Sequence, residues 1–179
     1  LNVPAAIRYP RDTVPTPLTD DGPPAEFELG RSVLLREGVD ATILAYGAPC
    51  RSALDAAELL AQEGIEVRVV NARFANPLDV QLISDIARKV RRLLTVEENV
   101  LAGGFGSAVL QMLNSYQVSG GQVKCHGLPQ VFVEHGSQAI LRAKYGLDAA
   151  GIARQVLVAF PELSLDSRKR SLFTGSTSP

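Results

Sequence analysis

The sequence predicts an α/β fold: a mainly parallel sheet with helices on both faces. Three observations predict it. Short apolar runs of strand length recur along the chain, as in Ala41-Thr42-Ile43-Leu44-Ala45-Tyr46. Between them lie stretches with apolar residues spaced by three and four positions. Turn formers such as Gly47 and Gly64 separate the two kinds. Strand and helix alternating at this spacing make βαβ units, whose crossovers leave neighbouring strands parallel.

The elements follow in order. Residues 32–38, Ser-Val-Leu-Leu-Arg-Glu-Gly, read as a strand ending in a turn. Residues 41–47 read as a buried strand stopped by glycine. From Ser52 to Gln62 the apolar residues Ala53, Leu54, Ala57, Leu60 and Ala61 form a helical stripe, with Gly64 where a C-terminal cap belongs. Residues 66–71 are a second buried strand. Pro77-Leu78-Asp79 is expected to open the next helix, with Pro77 in its first turn and Leu82, Ile83, Ile86 and Val90 on one face. Residues 92–98 are a third inner strand, residues 103–113 a glycine-rich turn and helix, and residues 122–127 a further strand. Helices are expected near residues 138–145 and 149–160.

The flanks differ. Residues 1–12 hold a short β-like piece ending in Arg8-Tyr9-Pro10-Arg11. Residues 13–26 carry Pro15, Pro17, Pro23 and Pro24, which cannot join a helix or an inner strand and read as an extended linker. The main body is expected over residues 27–162. Residues 163–179, with Arg168-Lys169-Arg170 and a Ser/Thr/Gly/Pro end, carry little apolar surface and are expected to be a disordered tail. The first residue, Leu1, opens directly into Asn2-Val3-Pro4, which reads as the middle of a longer polypeptide.

Composition narrows the function. A net charge of −1 gives no basic excess for nucleic acid or an anionic membrane. The longest apolar runs are too short to span a bilayer. Cys50 and Cys125 stand far apart without a CxxC spacing, which suits a reducing compartment better than a disulfide framework or a zinc site.

No convergent catalytic set stands out. Gly103-Gly104-Phe105-Gly106-Ser107 follows a strand and opens a helix, so it could cradle a phosphate. The dinucleotide fingerprint fails, because its third glycine would fall on Val109; close helix packing is the better reading. Adjacent Glu97 and Glu98 on a strand point to opposite faces, so they would not share a proton. One of them is expected to accept hydrogen bonds from the glycine-rich turn. Glu134 and His135 could form an acid/base pair, and Ser107 or Ser137 a nucleophile, but no G-x-S-x-G elbow exists. His126, after Cys125, has nothing beside it to complete a metal set. Arg8 and Arg11, at a domain rim, suit either a phosphate monoester, which guanidinium grips through parallel hydrogen bonds, or a surface ion pair.

An ordered series of motifs then acquires a meaning. It runs Ala6-Ile7-Arg8-Tyr9-Pro10-Arg11, Asn71-Ala72-Arg73-Phe74 with Pro77-Leu78-Asp79, Thr95-Val96-Glu97-Glu98-Asn99 with Gly103-Gly104-Phe105-Gly106-Ser107, Gly127-Leu128-Pro129 with Glu134-His135-Gly136, and Gly146-Leu147-Asp148-Ala149-Ala150-Gly151-Ile152. The series resembles the C-terminal part of the 1-deoxy-D-xylulose-5-phosphate synthases, thiamine-diphosphate enzymes of the transketolase superfamily. The resemblance implies a transketolase C-terminal-domain-like fold over residues 27–162, with residues 1–12 the edge of a pyrimidine-binding domain. It implies condensation of pyruvate with glyceraldehyde 3-phosphate and loss of CO2, feeding isoprenoid, thiamine and pyridoxal synthesis. Thiamine diphosphate and Mg2+ would be held by other polypeptide, namely the diphosphate- and pyrimidine-binding domains, in a homodimer of the bacterial cytoplasm or plastid stroma. Catalytic residues would lie outside this chain, which alone would be inactive, and Arg11 would hold the phosphate of glyceraldehyde 3-phosphate. Three departures stand out: Asp12 where the family has glycine, placing a carboxylate beside Arg11, Asn76 for a lysine and Gln130 for an aspartate. The alternatives are the C-terminal domain of another thiamine-diphosphate enzyme, such as a 2-oxo acid dehydrogenase β subunit, or a non-enzymatic assembly module.

Overall fold

The inner strands bury side chains on both of their faces, and the computed structural model shows why: the sheet is sandwiched between two helical layers. The structure describes residues 28–164. The domain edge at residues 1–12, the proline-rich stretch 13–26 and residues 165–179 therefore lie outside the described residues, and Arg11 with them.

The strands are β1 (Val33–Arg36), β2 (Ala41–Tyr46), β3 (Val67–Asn71), β4 (Arg92–Val100) and β5 (Gln122–Leu128). The helices are α1 (Pro49–Gln62), α2 (Val80–Lys89), α3 (Phe105–Ser115), α4 (Gln138–Lys144) and α5 (Ala149–Ala159). The sheet order is β1-β3-β2-β4-β5. β1 pairs antiparallel with β3 at one edge, and all other pairings are parallel.

Side-chain alternation assigns the layers. Ile43, Ala45, Leu94 and Val96 face α1 and α5, while Leu44 and Leu93 face α2 and α3. Leu60, on the inner stripe of α1, is 1% exposed. Its truncation to alanine would cost about 2–5 kcal/mol.

The caps explain where helices start and stop. Pro49 occupies the first turn of α1, so that helix begins three residues before the stripe that reveals it. Gly64, at φ +76°, takes the left-handed position after α1. Pro77 does not open α2. Asp79 is the N-cap: its Oδ1 accepts from the Leu82 amide at 3.1 Å, and its Oδ2 accepts from the Ser32 amide at 2.9 Å. One carboxylate thus starts the helix and pins the approach to β1, which moves the helix start to Val80. Asp148 caps α5 by accepting from the Gly151 amide at 2.9 Å.

The folded body also reaches further than residue 162. Leu163, assigned above to the tail, is fully buried against the α1 and α5 layer.

Candidate functional site

Chain direction sets where a ligand could enter this sheet. From β2 the chain crosses to β3 on one side, and from β4 it crosses to β5 on the other. The two connections part at the carboxyl ends of β2 and β4, the place where open α/β sheets form their ligand crevices. A crevice of about 490 Å³ lies there, lined by Tyr46, Ala75, Asn99, Gly104, Phe105 and Ala108 among others. Two of the lining residues, Tyr46 and Phe105, stack their rings, with centroids 5.1 Å apart and planes 18° apart.

Glu97 lies behind the crevice wall, bonded to the backbone of Phe105, one of the lining residues. Alternation turns it toward α3, and it is completely buried. Its Oε2 accepts from the Phe105 amide at 2.7 Å and its Oε1 from the Gly106 amide at 2.8 Å. Gly104, the N-cap of α3, has no side chain to do this. The amides that could have cradled a phosphate are therefore committed to a carboxylate of the same chain, and the negative charge already meets the helix dipole. This is the interaction expected of one of the paired glutamates, and it decides between the two readings of the glycine-rich turn in favour of close packing. A Cβ on Gly104 would stand 2.4 Å from Glu97 Oε2, and one on Gly106 would stand 2.6 Å from Thr95 Oγ1.

Glu98 faces the opposite layer, as the strand geometry requires. It accepts from Arg142 Nε at 2.7 Å, and Arg142 also donates to Gln138 Oε1 at 2.7 Å. Glu134 does not pair with His135. It accepts a hydrogen bond from Lys144 Nζ and another from the Tyr145 hydroxyl at 3.1 Å, while His135 is exposed. Those partners, Lys144 first, hold the Glu134 carboxyl down at about 2. Neither serine is poised as a nucleophile. Ser107 Oγ donates to the Leu101 carbonyl at 2.6 Å, and Ser137 Oγ caps α4 by accepting from the Ile140 amide at 3.4 Å.

The remaining titratable groups serve packing. His126 Nε2 lies 2.8 Å from the Gly146 carbonyl, a contact that makes it the protonated donor nitrogen. Burial pulls its pKa below the usual value, and that carbonyl partly opposes the shift. Burial pushes the Cys50 thiol up to about 12 and raises Cys125 as well. Both thiols are free.

Two features were not singled out from the sequence. Asp79 as a bridging cap was legible in principle, since it stands three residues before Leu82. Arg73, after β3, has φ +58° with its amide donating to Asn71 Oδ1 at 2.9 Å, an asparagine-supported turn that no periodicity marks. Asn76 and Gln130 are exposed, so those departures touch only the surface.

Comparison with known proteins adds a second line. Residues 30–152 match the family model described as transketolase, C-terminal domain. The chain is 46% identical over 159 residues to a 1-deoxy-D-xylulose-5-phosphate synthase of Pelotomaculum thermopropionicum, covering 89% of this chain and 25% of that protein. It is 48% identical over 151 residues to the synthase of Desulforudis audaxviator, covering 84% of this chain and 24% of that protein. The chain thus spans about a quarter of the length of the curated relatives it matches. Among solved structures it is similar to a split-gene transketolase described as an inactive β4 tetramer, with TM-score 0.71 and 39% identity, covering 78% of this chain and 45% of that one. A transketolase from Campylobacter jejuni shares the fold, with TM-score 0.53 at 18% identity over 77% of this chain and 20% of that one.

Proposed function

The chain belongs to the transketolase C-terminal domain family, and from that premise we propose that it is the C-terminal part of a 1-deoxy-D-xylulose-5-phosphate synthase. The enzyme would join pyruvate to glyceraldehyde 3-phosphate with loss of CO2. The observation that carries this reading is the 46% and 48% identity to synthases over most of the chain. Thiamine diphosphate and Mg2+ would be bound by other polypeptide. One feature of the described residues supports that division: the N-terminus of α3, a natural seat for a diphosphate, is filled by Glu97. Among the same residues, no three His, Cys, Asp or Glu side chains gather to hold a metal ion.

Within this reading the chain's own contribution to substrate binding is Arg11, whose guanidinium would hold two phosphate oxygens of glyceraldehyde 3-phosphate. The rest of the domain supplies contacts to the other domains and to a second copy of the enzyme. A tetrameric split-gene relative supports assembly into an oligomer. No helix among the described residues is long and apolar enough to cross a membrane. Two free thiols and bacterial relatives suit an enzyme of the bacterial cytoplasm.

The test is steady-state kinetics with both substrates. Arg11→Ala in the intact enzyme should raise KM for glyceraldehyde 3-phosphate on the order of tenfold or more and leave KM for pyruvate nearly unchanged. Equal effects on both substrates would remove Arg11 from the phosphate site. Turnover by residues 1–179 alone would overturn the division of labour.

A further inference from the structure

The described chain enters the fold at the carboxyl edge of the sheet. β1 runs antiparallel to β3 and begins with Val33 opposite Asn71, the last residue of β3. Just before it, the Ser32 hydroxyl donates to the Ala72 carbonyl at 3.3 Å. Gly30 lies against Pro77, where an added Cβ would stand 3.1 Å from the proline ring. The crevice at the ends of β2 and β4 opens on this same edge. Ala75, which lines it, is two positions from Pro77, and Tyr46 ends β2, the strand beside β3. The chain upstream of Glu28 is thus tethered beside the crevice.

We propose that this crevice is the docking site of the chain's own residues 14–18, Val-Pro-Thr-Pro-Leu. The inference goes beyond the synthase reading and does not rest on it. Four arguments select this occupant. The first is charge. The described residues lining the crevice carry none, and the first amides of α3 already serve Glu97, so an anion finds no partner there. Residues 13–19 are uncharged, whereas Arg11-Asp12 and Asp20-Asp21 flank them. The second is shape and polarity. Proline-rich segments dock in aromatic-lined grooves, and their extended backbone leaves its carbonyls without internal hydrogen bonds. Tyr46 and Asn99, both in the lining, carry the hydroxyl and amide donors that such carbonyls need, while Ala75, Ala102 and Ala108 leave room for the backbone to come close. The third is reach. Leu18 lies ten residues before Glu28, a stretch of ~30 Å when extended, against the ~12 Å of two to three strand spacings from β1 to the crevice. The fourth is competition. A short tether presents these residues at an effective concentration in the millimolar range, which falls as the connection lengthens. That favours residues 14–18 over a second copy and over more distant polypeptide, and prolines at two of the five positions lower the entropy lost on docking.

The experiment is disulfide trapping in the full 179-residue chain and in the intact enzyme. Ala102 is exposed at the crevice, and Ser115 is exposed at the far end of α3. Thr16→Cys paired with Ala102→Cys should close an intramolecular disulfide under mild oxidation at least about tenfold faster than Thr16→Cys paired with Ser115→Cys. In the unaltered chain, nuclear Overhauser contacts should join the Val14 or Leu18 methyls to the Tyr46 ring. Ala102→Glu should abolish them and leave the thermal melt in place, because that side chain is outside the core. Equal closure rates for the two pairs overturn the proposal. So does a Thr16–Ala102 bond between copies, which would make a second copy the occupant. So does a bond that forms in the chain but not in the intact enzyme, which would give the crevice to other polypeptide. Free-chain methyl shifts at Val14 and Leu18 in the unaltered chain overturn it as well. None of these outcomes touches the synthase reading, which the Arg11 kinetics test separately.

Discussion

Glu97, at the end of β4, and Phe105, at the start of α3, are joined by a 2.7 Å hydrogen bond in which a fully buried carboxylate caps a helix that has no cap of its own. The helix is therefore docked to the sheet at the point where it begins. The wall of the crevice, from Ala102 to Phe105, is held by that bond and its partner at Gly106.

Glu97→Gln tests the cap. The amide group keeps the size of the side chain but turns an N–H toward a backbone N–H, leaving one buried donor unsatisfied. The expected loss is about 2–3 kcal/mol, and Tm should fall by roughly 5–10 °C for a chain of this size. Calorimetry measures it, and an unchanged Tm would show that α3 does not depend on this carboxylate.

Gly106→Ala tests the packing. A Cβ there would approach Thr95 Oγ1 at 2.6 Å and Cys125 Sγ at 2.8 Å. Overpacking of this kind costs about 1–3 kcal/mol, more than the gain in helix propensity returns. Adding Cys125→Ala should recover part of the loss, and urea unfolding of the two single variants and the double variant reads the coupling.

Thiol chemistry tests burial. With Cys50 pushed up to about 12 and Cys125 raised by burial and by the nearby Glu97 charge, little thiolate exists near neutral pH. Iodoacetamide at mildly alkaline pH should label the folded chain far more slowly than free cysteine. Both thiols should react at once in guanidinium, which mass spectrometry records. Rapid labelling of Cys50 in the folded state would contradict its position between α1 and the sheet.

The pH dependence of stability should come in two separate windows. His126 has its folded pKa below the usual 6.5, so the unfolded chain takes up its proton first as pH falls. Stability from this group is present above about 6.5 and is lost as pH drops through the folded value. Glu134, held at about 2 against an ordinary 4.5, acts lower: its contribution is present above about 4.5 and disappears toward about 2. His126→Gln should flatten only the upper window and Glu134→Gln only the lower, as urea midpoints taken against pH would show.

Most of the architecture was legible because burial on two sides leaves a plain record. β2 is apolar along nearly its whole length, and the stripe of α1 repeats every three to four residues. The glutamate cap was legible too, since strand alternation and a glycine-rich helix start leave few other roles for a buried carboxylate. What escaped depends on distance along the chain. Adjacency suggested Glu134 with His135, but Lys144 and Tyr145, 10 and 11 residues on, are the partners that folding supplies. The start of α2 was misplaced because proline at a helix start is permissive, whereas Asp79, by binding an amide, is decisive. Leu163 escaped because one leucine in a polar stretch carries no periodicity.

The placement of α5 has a consequence for biosynthesis. It is the last of the described elements in chain order, yet Ile152, Val156 and Phe160 belong to the same core as Ala53 and Leu60 of α1. Until translation has passed them, the part of that sheet face not covered by α1 stays bare, and a growing polypeptide in that state is prey to aggregation. A stop codon placed ahead of Ile152 should thus yield inclusion bodies, although all five strands would already have been made.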